Sequence, residues 1–176
     1  GIFGLGAIGR AVADRAAAFG TTTFAIDPGP ASVPTSVREC WDLDRLDDLC
    51  RLSNFLVIAA PVLHNTRNSI DARRIALMPE GSYIIVISRG AIVDEEAMCD
   101  ALESGYLAGA AVDATAVEPL VDDSRLWTLP NVILTPHSSA LTPELYEMRR
   151  QAFKANLRKF AAGEPLENIC NKTQGF

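Results

Sequence analysis

The first nine residues, Gly1-Ile-Phe-Gly4-Leu-Gly6-Ala-Ile-Gly9, constrain the fold of this chain most. They set the pattern Gly4-x-Gly6-x-x-Gly9 between a short apolar strand and the start of a helix. There, Gly4 permits a sharp turn out of the strand, Gly6 removes a side chain where backbone N–H groups could approach a pyrophosphate, and Gly9 lets the helix lie close to the sheet. Ile8, Val12, Ala16 and Phe19 fall on one helical face, and Gly20 supplies a stop. Three glycines alone are equally consistent with an ordinary loop. The context decides: a second apolar run, 22–26, ends in Asp27, an acidic residue about 20 positions on, where a dinucleotide fold needs an acceptor for ribose hydroxyls. The helix start is then an anion site of free N–H groups and positive dipole.

Further along, the same unit repeats. Pro28 to Pro34 is a turn-rich surface connection. Leu43, Leu46, Leu49 and Cys50 mark a short amphipathic helix, and 55–60 is a wholly apolar run, as expected of a strand covered on both faces, ended by Pro61. A helix over 71–78 stops at Pro79-Glu-Gly81, and 83–88 is the next strand. Asp94-Glu-Glu opens another helix that Gly105 closes, 107–112 is a strand followed by Asp113, and 132–135 a strand followed by Pro136-His137. A last helix is predicted from Pro143 to Ala162 with Thr142 as its N-cap. This alternation predicts an α/β, Rossmann-type, doubly wound parallel sheet of about six strands with helices on both faces. The domain is expected to span 1–162, with a tail over 163–176.

Composition narrows the partners. A chain of 176 residues with 48% hydrophobic content can bury one α/β core, and 16 Lys+Arg against 22 Asp+Glu give a net charge of -6, which disfavours nucleic acid. Cys40, Cys50, Cys99 and Cys170 show neither CxxC nor metal spacing, so reduced thiols, no metal and a cytoplasmic protein are expected. No apolar run approaches the roughly 20 residues of a membrane span. Three residues precede Gly4, few for a central strand, so the chain is expected to be a domain cut from something longer.

In such sheets ligands bind beyond the carboxyl ends of the strands. That edge gathers Gly4 to Gly9, Asp27, Pro61, Arg89, Asp113 with Glu118, and His137. Imidazole has an unperturbed pKa of about 6.5 and suits a proton that leaves an alcohol as hydride departs; a carboxylate would orient it, and a guanidinium offers forked donors to a substrate carboxylate. Alone, Ser88-Arg89-Gly90 reads as a surface turn and Glu118-Pro119 as a plain loop; their shared edge sets them apart. His64 reads as solvated, and Trp41 and Trp127 as packing or interface residues.

With these blocks in view, the chain resembles the NAD-binding domain of the D-isomer-specific 2-hydroxyacid dehydrogenase family. The resemblance rests on Gly4-Leu-Gly-Ala-Ile-Gly9 with Asp27, Ser88-Arg-Gly-Ala-Ile-Val-Asp94, Ala108-Gly-Ala-Ala-Val-Asp113 followed by Glu118-Pro119, and Leu129-Pro-Asn-Val-Ile-Leu-Thr-Pro-His137. It implies that Arg89 binds the substrate carboxylate and carbonyl, that His137 is the acid/base, and that Glu118 is its partner. It implies that Ala7 and Ile8 meet the pyrophosphate through backbone, Asp27 the adenine ribose and Asp113 the nicotinamide amide, with Gly4, Gly6, Gly9, Pro61, Thr66, Ile87 and Ser88 completing the cofactor lining. Asp27 with no Arg after it argues for NAD over NADP. Glu118, where formate dehydrogenase relatives carry glutamine, argues against that branch.

The sequence departs from the family pattern at Leu63, Val86-Ile87-Ser88 and Ala114-Thr115-Ala116, all near cofactor and substrate. The resemblance implies a separate substrate domain built mainly from chain before the glycine motif, so weak NAD binding and slow turnover are expected of these residues alone, with the tail after Gly163 expected to return toward that domain. The expected partners are a small 2-hydroxyacid or 2-oxoacid and a second copy, in a homodimer through the nucleotide domain. The alternative is a non-catalytic NAD-sensing domain, since the resemblance extends to a transcriptional co-repressor; a degenerate fragment is the third reading.

Overall fold

The computed structural model describes residues 1–29 and 32–170. Seven strands form one parallel sheet: β1 (Ile2–Phe3), β2 (Phe24–Ile26), β3 (Glu39–Trp41), β4 (Phe55–Ile58), β5 (Ser82–Val86), β6 (Leu107–Val112) and β7 (Val132–Leu134), in the spatial order β3-β2-β1-β4-β5-β6-β7. The helices are α1 (Ala7–Ala18), α2 (Leu46–Leu52), α3 (Ala72–Ile75), α4 (Glu95–Glu103) and α5 (Pro143–Ala162). Strand order reverses direction beside β1, which pairs with β2 on one side and β4 on the other.

The period-2 alternation of each strand divides the core. Phe3, Ile26, Leu56, Ile58, Ile84, Val86 and Val112 join Leu46, Leu49, Met98 and Leu102 in the larger cluster, on the face covered by α2, α3 and α4. Ile2 and Ala25 pack with Ala13 of α1 on the other face. Each fully buried aliphatic side chain contributes roughly 1.5–3 kcal/mol. Beyond the strands that α1 covers, this second face is open among the described residues. Phe55 and Tyr83 stack there with ring centroids 5.0 Å apart, and with Ile85, Ala111 and Ile133 they border a groove of about 320 Å³.

Three local expectations change. The sheet has a seventh strand, β3, an edge strand of mixed residues that carries no apolar run. The inner face of α1 is Gly9 and Ala13, whereas Ile8 and Phe19 are exposed, because a Cβ on Gly9 would lie 2.1 Å from the Gly4 carbonyl oxygen and only small residues fit so near the sheet. The helix expected over 71–78 is one turn, after which the Leu77 and Met78 amides donate three residues back to Arg74 and Ile75 before Pro79.

The chain packs as two compact units, 1–137 and 138–176. The second holds α5, capped by the Thr142 hydroxyl, which accepts from the Leu145 N–H, and closed by Gly163 at φ +70. No residue of α5 is buried. Part of the connection at 28–34 and the end of the 163–176 tail lie outside the described residues. No described helix is long and apolar enough to cross a membrane, and all four cysteines are free.

Asp47 on α2 ties that helix to α3: the Arg73 and Arg74 guanidiniums donate to its carboxylate at 2.6–2.9 Å and hold its carboxyl well below the usual carboxylate range. A depressed folded-state value stabilises the fold above the unfolded value, about pH 4, and this contribution fades as pH falls through the folded one. Asp47→Asn is therefore expected to lower the melting midpoint at pH 7, with the gap to the unsubstituted protein narrowing below about pH 4 in a thermal-melt series. A gap constant with pH would contradict this.

Candidate active site

Polar groups collect at the carboxyl edge of the sheet because every strand points the same way. Leaving β1, the chain turns at Gly4, which has φ +99, and a Cβ there would meet the Ala60 backbone nitrogen at 2.5 Å, so the ends of β1 and β4 are in direct contact. Gly6 caps α1, and a Cβ on it would meet nothing within 4 Å. Ala7 and Ile8 form the first turn of α1, where backbone N–H groups have no helical partner. Asp27, after β2, accepts from Leu5 N–H at 2.8 Å and Gly29 N–H at 3.2 Å, which fixes its carboxylate against the glycine turn.

Asp27 shares a cleft of about 380 Å³ with Val33, Cys40, Trp41, Asp42, Asp44 and Arg45. The Arg45 guanidinium lies 4.1 Å from the Trp41 ring centroid and pairs with Asp48 at 2.9 Å, so its charge is already engaged. Burial, reinforced by the Asp27 carboxylate, pushes the Cys40 thiol up and keeps it neutral. Trp41, expected as a packing or interface residue, ends β3 and stacks on Phe24 with ring centroids 5.2 Å apart, while Asp42 and Asp44 escape the sequence reading because β3 does.

The loop after β4 is fastened by Thr66, whose hydroxyl donates to the Pro61 carbonyl at 2.8 Å and accepts from Leu63 N–H at 2.7 Å. Thr66 is buried and its hydroxyl is engaged within its own loop, so it shapes the wall around Pro61. His64 is exposed in this loop, as expected. After β5, the Ile87 N–H donates back to Ile58, and the Ser88 Oγ is buried with no partner among the described residues. Arg89 is exposed and donates to the Ser88 carbonyl at 2.7 Å. Gly90 then passes against the Thr115 backbone so closely that a Cβ would sit 2.1 Å from it. That approach brings the Arg89 loop to the loop carrying Glu118, and both residues border a cleft of about 270 Å³ with Val62, Arg67 and Thr115.

Glu118 faces His137 across the edge, and His137 Nδ1 lies 2.9 Å from both Glu118 carboxylate oxygens. His137 has φ +51, a left-handed conformation uncommon for a side chain this large, and its N–H donates to the Asp113 carbonyl at 2.8 Å and the Thr135 carbonyl at 3.0 Å. Asp113 itself is 5% exposed. Asp113, Glu118 and His137 line a cavity of about 700 Å³ whose other walls are mainly apolar: Pro119, Leu120, Trp127, Leu134 and Pro136. Trp127, expected as a packing or interface residue, is part of this wall, with its indole N–H donating to Val121. Among the described residues no group of His, Cys, Asp or Glu is placed to hold a metal ion.

These features fit a dinucleotide: an open helix N-terminus with no Cβ in the way, an anchored carboxylate beside one cleft, an orphaned serine hydroxyl between, and an imidazole–carboxylate pair at the far end. Fold and site together define a nucleotide-binding domain of the Rossmann type. The family model for the NAD-binding domain of D-isomer specific 2-hydroxyacid dehydrogenases matches residues 1–139, and the chain belongs to that family. It is 36% identical to the D-3-phosphoglycerate dehydrogenase of Methanocaldococcus jannaschii over 174 residues, 97% of this chain and 32% of the relative. It is 35% identical to the glyoxylate reductase of Thermococcus kodakarensis over 98% of this chain and 51% of the relative. The chain thus spans a third to a half of these curated relatives. A crystal structure of a D-isomer specific 2-hydroxyacid dehydrogenase from Xanthobacter autotrophicus Py2 with NADPH superposes with a TM-score of 0.89 at 33% identity, covering 99% of this chain and 71% of that one.

The glycine turn generates a contrast in stability. Gly9→Ala forces its Cβ onto the Gly4 carbonyl and is expected to destabilise the fold by about 2–3 kcal/mol. Gly6→Ala meets open space and is expected to cost less than about 1 kcal/mol. Denaturant unfolding of the two variants checks this, and equal losses would contradict it.

Proposed function

We propose that this chain is the cofactor-binding and acid–base part of a cytoplasmic NAD-dependent dehydrogenase that interconverts D-2-hydroxyacids and 2-oxoacids. The observation that carries the reading is the His137–Glu118 pair at 2.9 Å, on the same sheet edge as the glycine turn and in the same cavity as Asp113. NAD, when bound, supplies the acceptor or donor of hydride at its nicotinamide ring. The chain's own residues do the rest. Ala7 and Ile8 N–H groups and the α1 dipole hold the pyrophosphate, with Gly4, Gly6 and Gly9 leaving room for it. Asp27 accepts from the adenosine ribose, Asp113 orients the nicotinamide amide, and Pro61, Thr66, Ile87 and Ser88 shape the walls between.

Arg89 presents a forked pair of donors to the substrate carboxylate and the neighbouring oxygen. His137 Nε2 takes the hydroxyl proton as hydride leaves the same carbon, and returns it to the carbonyl oxygen in the reducing direction. Glu118 accepts from Nδ1–H and fixes the tautomer and orientation of the ring. NAD is favoured over NADP because a 2′-phosphate near Asp27 would meet the carboxylates of Asp42 and Asp44 in the same cleft, while Arg45 is committed to Asp48. The relatives are two to three times longer than the matched segment, and cleft closure that orients substrate and excludes water would come from outside it. These 176 residues alone are therefore expected to bind NADH weakly and to turn over 2-oxoacids slowly.

The test is His137→Ala in the natural full-length polypeptide, assayed by NADH oxidation with glyoxylate and hydroxypyruvate and by NADH fluorescence titration. Turnover should fall by about 10²–10⁴-fold with NADH affinity within about twofold. A full-length protein that binds NADH but turns over no 2-oxoacid would favour a non-catalytic NAD sensor, and undetectable NADH binding would sink both readings.

A further inference from the structure

The block Leu134-Thr135-Pro136-His137 ends β7, and the proposed mechanism uses only its histidine. Thr135 also makes a side-chain contact in the cavity: its hydroxyl donates to Asp113 Oδ1 at 2.5 Å. The contact follows from how β6 and β7 end. Their parallel register pairs Val112 with Leu134, and the ladder runs on past both strands. Thr135 N–H donates to the Val112 carbonyl at 3.0 Å, and His137 N–H donates to the Asp113 carbonyl at 2.8 Å. Asp113 is thus gripped at its main chain by His137 and at its side chain by Thr135, two residues apart on one strand end.

We infer that Thr135 is a positioning residue for the nicotinamide end of the cofactor: its hydroxyl fixes the Asp113 carboxylate in the orientation that meets the nicotinamide amide, and couples that carboxylate to the backbone that carries His137. The inference rests on the reading of this edge as an NAD site. Three physical facts support it. A carboxylate as buried as Asp113 needs hydrogen-bond donors to remain there, and Thr135 supplies one at short range. Threonine is β-branched and stiff at χ1, so its hydroxyl holds one direction. Pro136 behind it confines the Thr135 backbone to extended conformations, which fixes where that hydroxyl starts from. A valine would fill the same volume with no donor; a serine would keep the donor and lose only a methyl group.

The experiment is fluorescence or calorimetric titration of this chain, Thr135→Val and Thr135→Ser with NADH, and in parallel with ADP-ribose, which shares the adenosine and pyrophosphate but carries no nicotinamide. Thr135→Val should weaken NADH by about five- to tenfold while leaving ADP-ribose within about twofold, and Thr135→Ser should recover most of the NADH loss. A melting curve for each variant reports its folding separately. Equal weakening of both ligands would assign Thr135 to the fold alone and overturn the inference, as would an unchanged NADH affinity in Thr135→Val. If the unsubstituted chain binds ADP-ribose but gains nothing from the nicotinamide, the inference falls while the adenosine site stands. If it binds neither ligand, the inference falls together with the NAD reading.

Discussion

The contact between the ends of β1 and β4 sets the rest of the site. At β1 the winding of the sheet reverses, so the connections on either side leave in opposite directions and a crevice opens above the strand ends. Gly4 closes the bottom of that crevice against Ala60 with no space for a side chain, and Gly9 lets α1 start directly over the turn. Catalytic precision in such a fold comes from strand ends held by the sheet, and only the loops between them are free to vary.

What the site adds to the fold is a pair of short couplings across neighbouring strand ends. Glu118 reaches His137 from the loop after β6, and Thr135 reaches Asp113 from the end of β7. Both couplings join the β6 and β7 ends, so the histidine proposed as acid–base group and the carboxylate proposed to meet the nicotinamide amide share one framework. Arg89 arrives from β5 by another route, with Gly90 pressed against the Thr115 backbone. The other walls around the pair are mainly apolar, while the pair itself is half-exposed.

Much of this was legible in the sequence, for reasons that can be named. The strand 107–112 and the helix from Pro143 to Ala162 match the structure residue for residue, because one is a continuous apolar run after a glycine stop and the other has a threonine cap, a proline at its start and a glycine at its end. The edge carrying Asp27, Arg89, Asp113, Glu118 and His137 followed from parallel alternation alone. Glu39–Trp41 is not legible as a strand, since an edge strand of charged, thiol and aromatic residues has no periodic signal, and the cleft residues Asp42 and Asp44 are lost with it. The face of α1 was misread because periodicity shows that a stripe exists, whereas the close approach of Gly9 to Gly4 decides which side turns inward. Thr135 and Asp113 are 22 residues apart, and only strand register shows that they meet.

Amide chemical-shift mapping of this chain with NAD⁺ tests the central claim most directly, because it reports where along the sheet the dinucleotide lies without requiring turnover. The account predicts shifts confined to one edge: residues 5–10, Asp27, 41–44, 87–90, Asp113 and 135–137, saturating together. Shifts at the opposite strand ends, around Asn54, Gly81 and Tyr106, or on the open sheet face at Phe55, Tyr83 and Ile133, with the glycine turn unmoved, would contradict it.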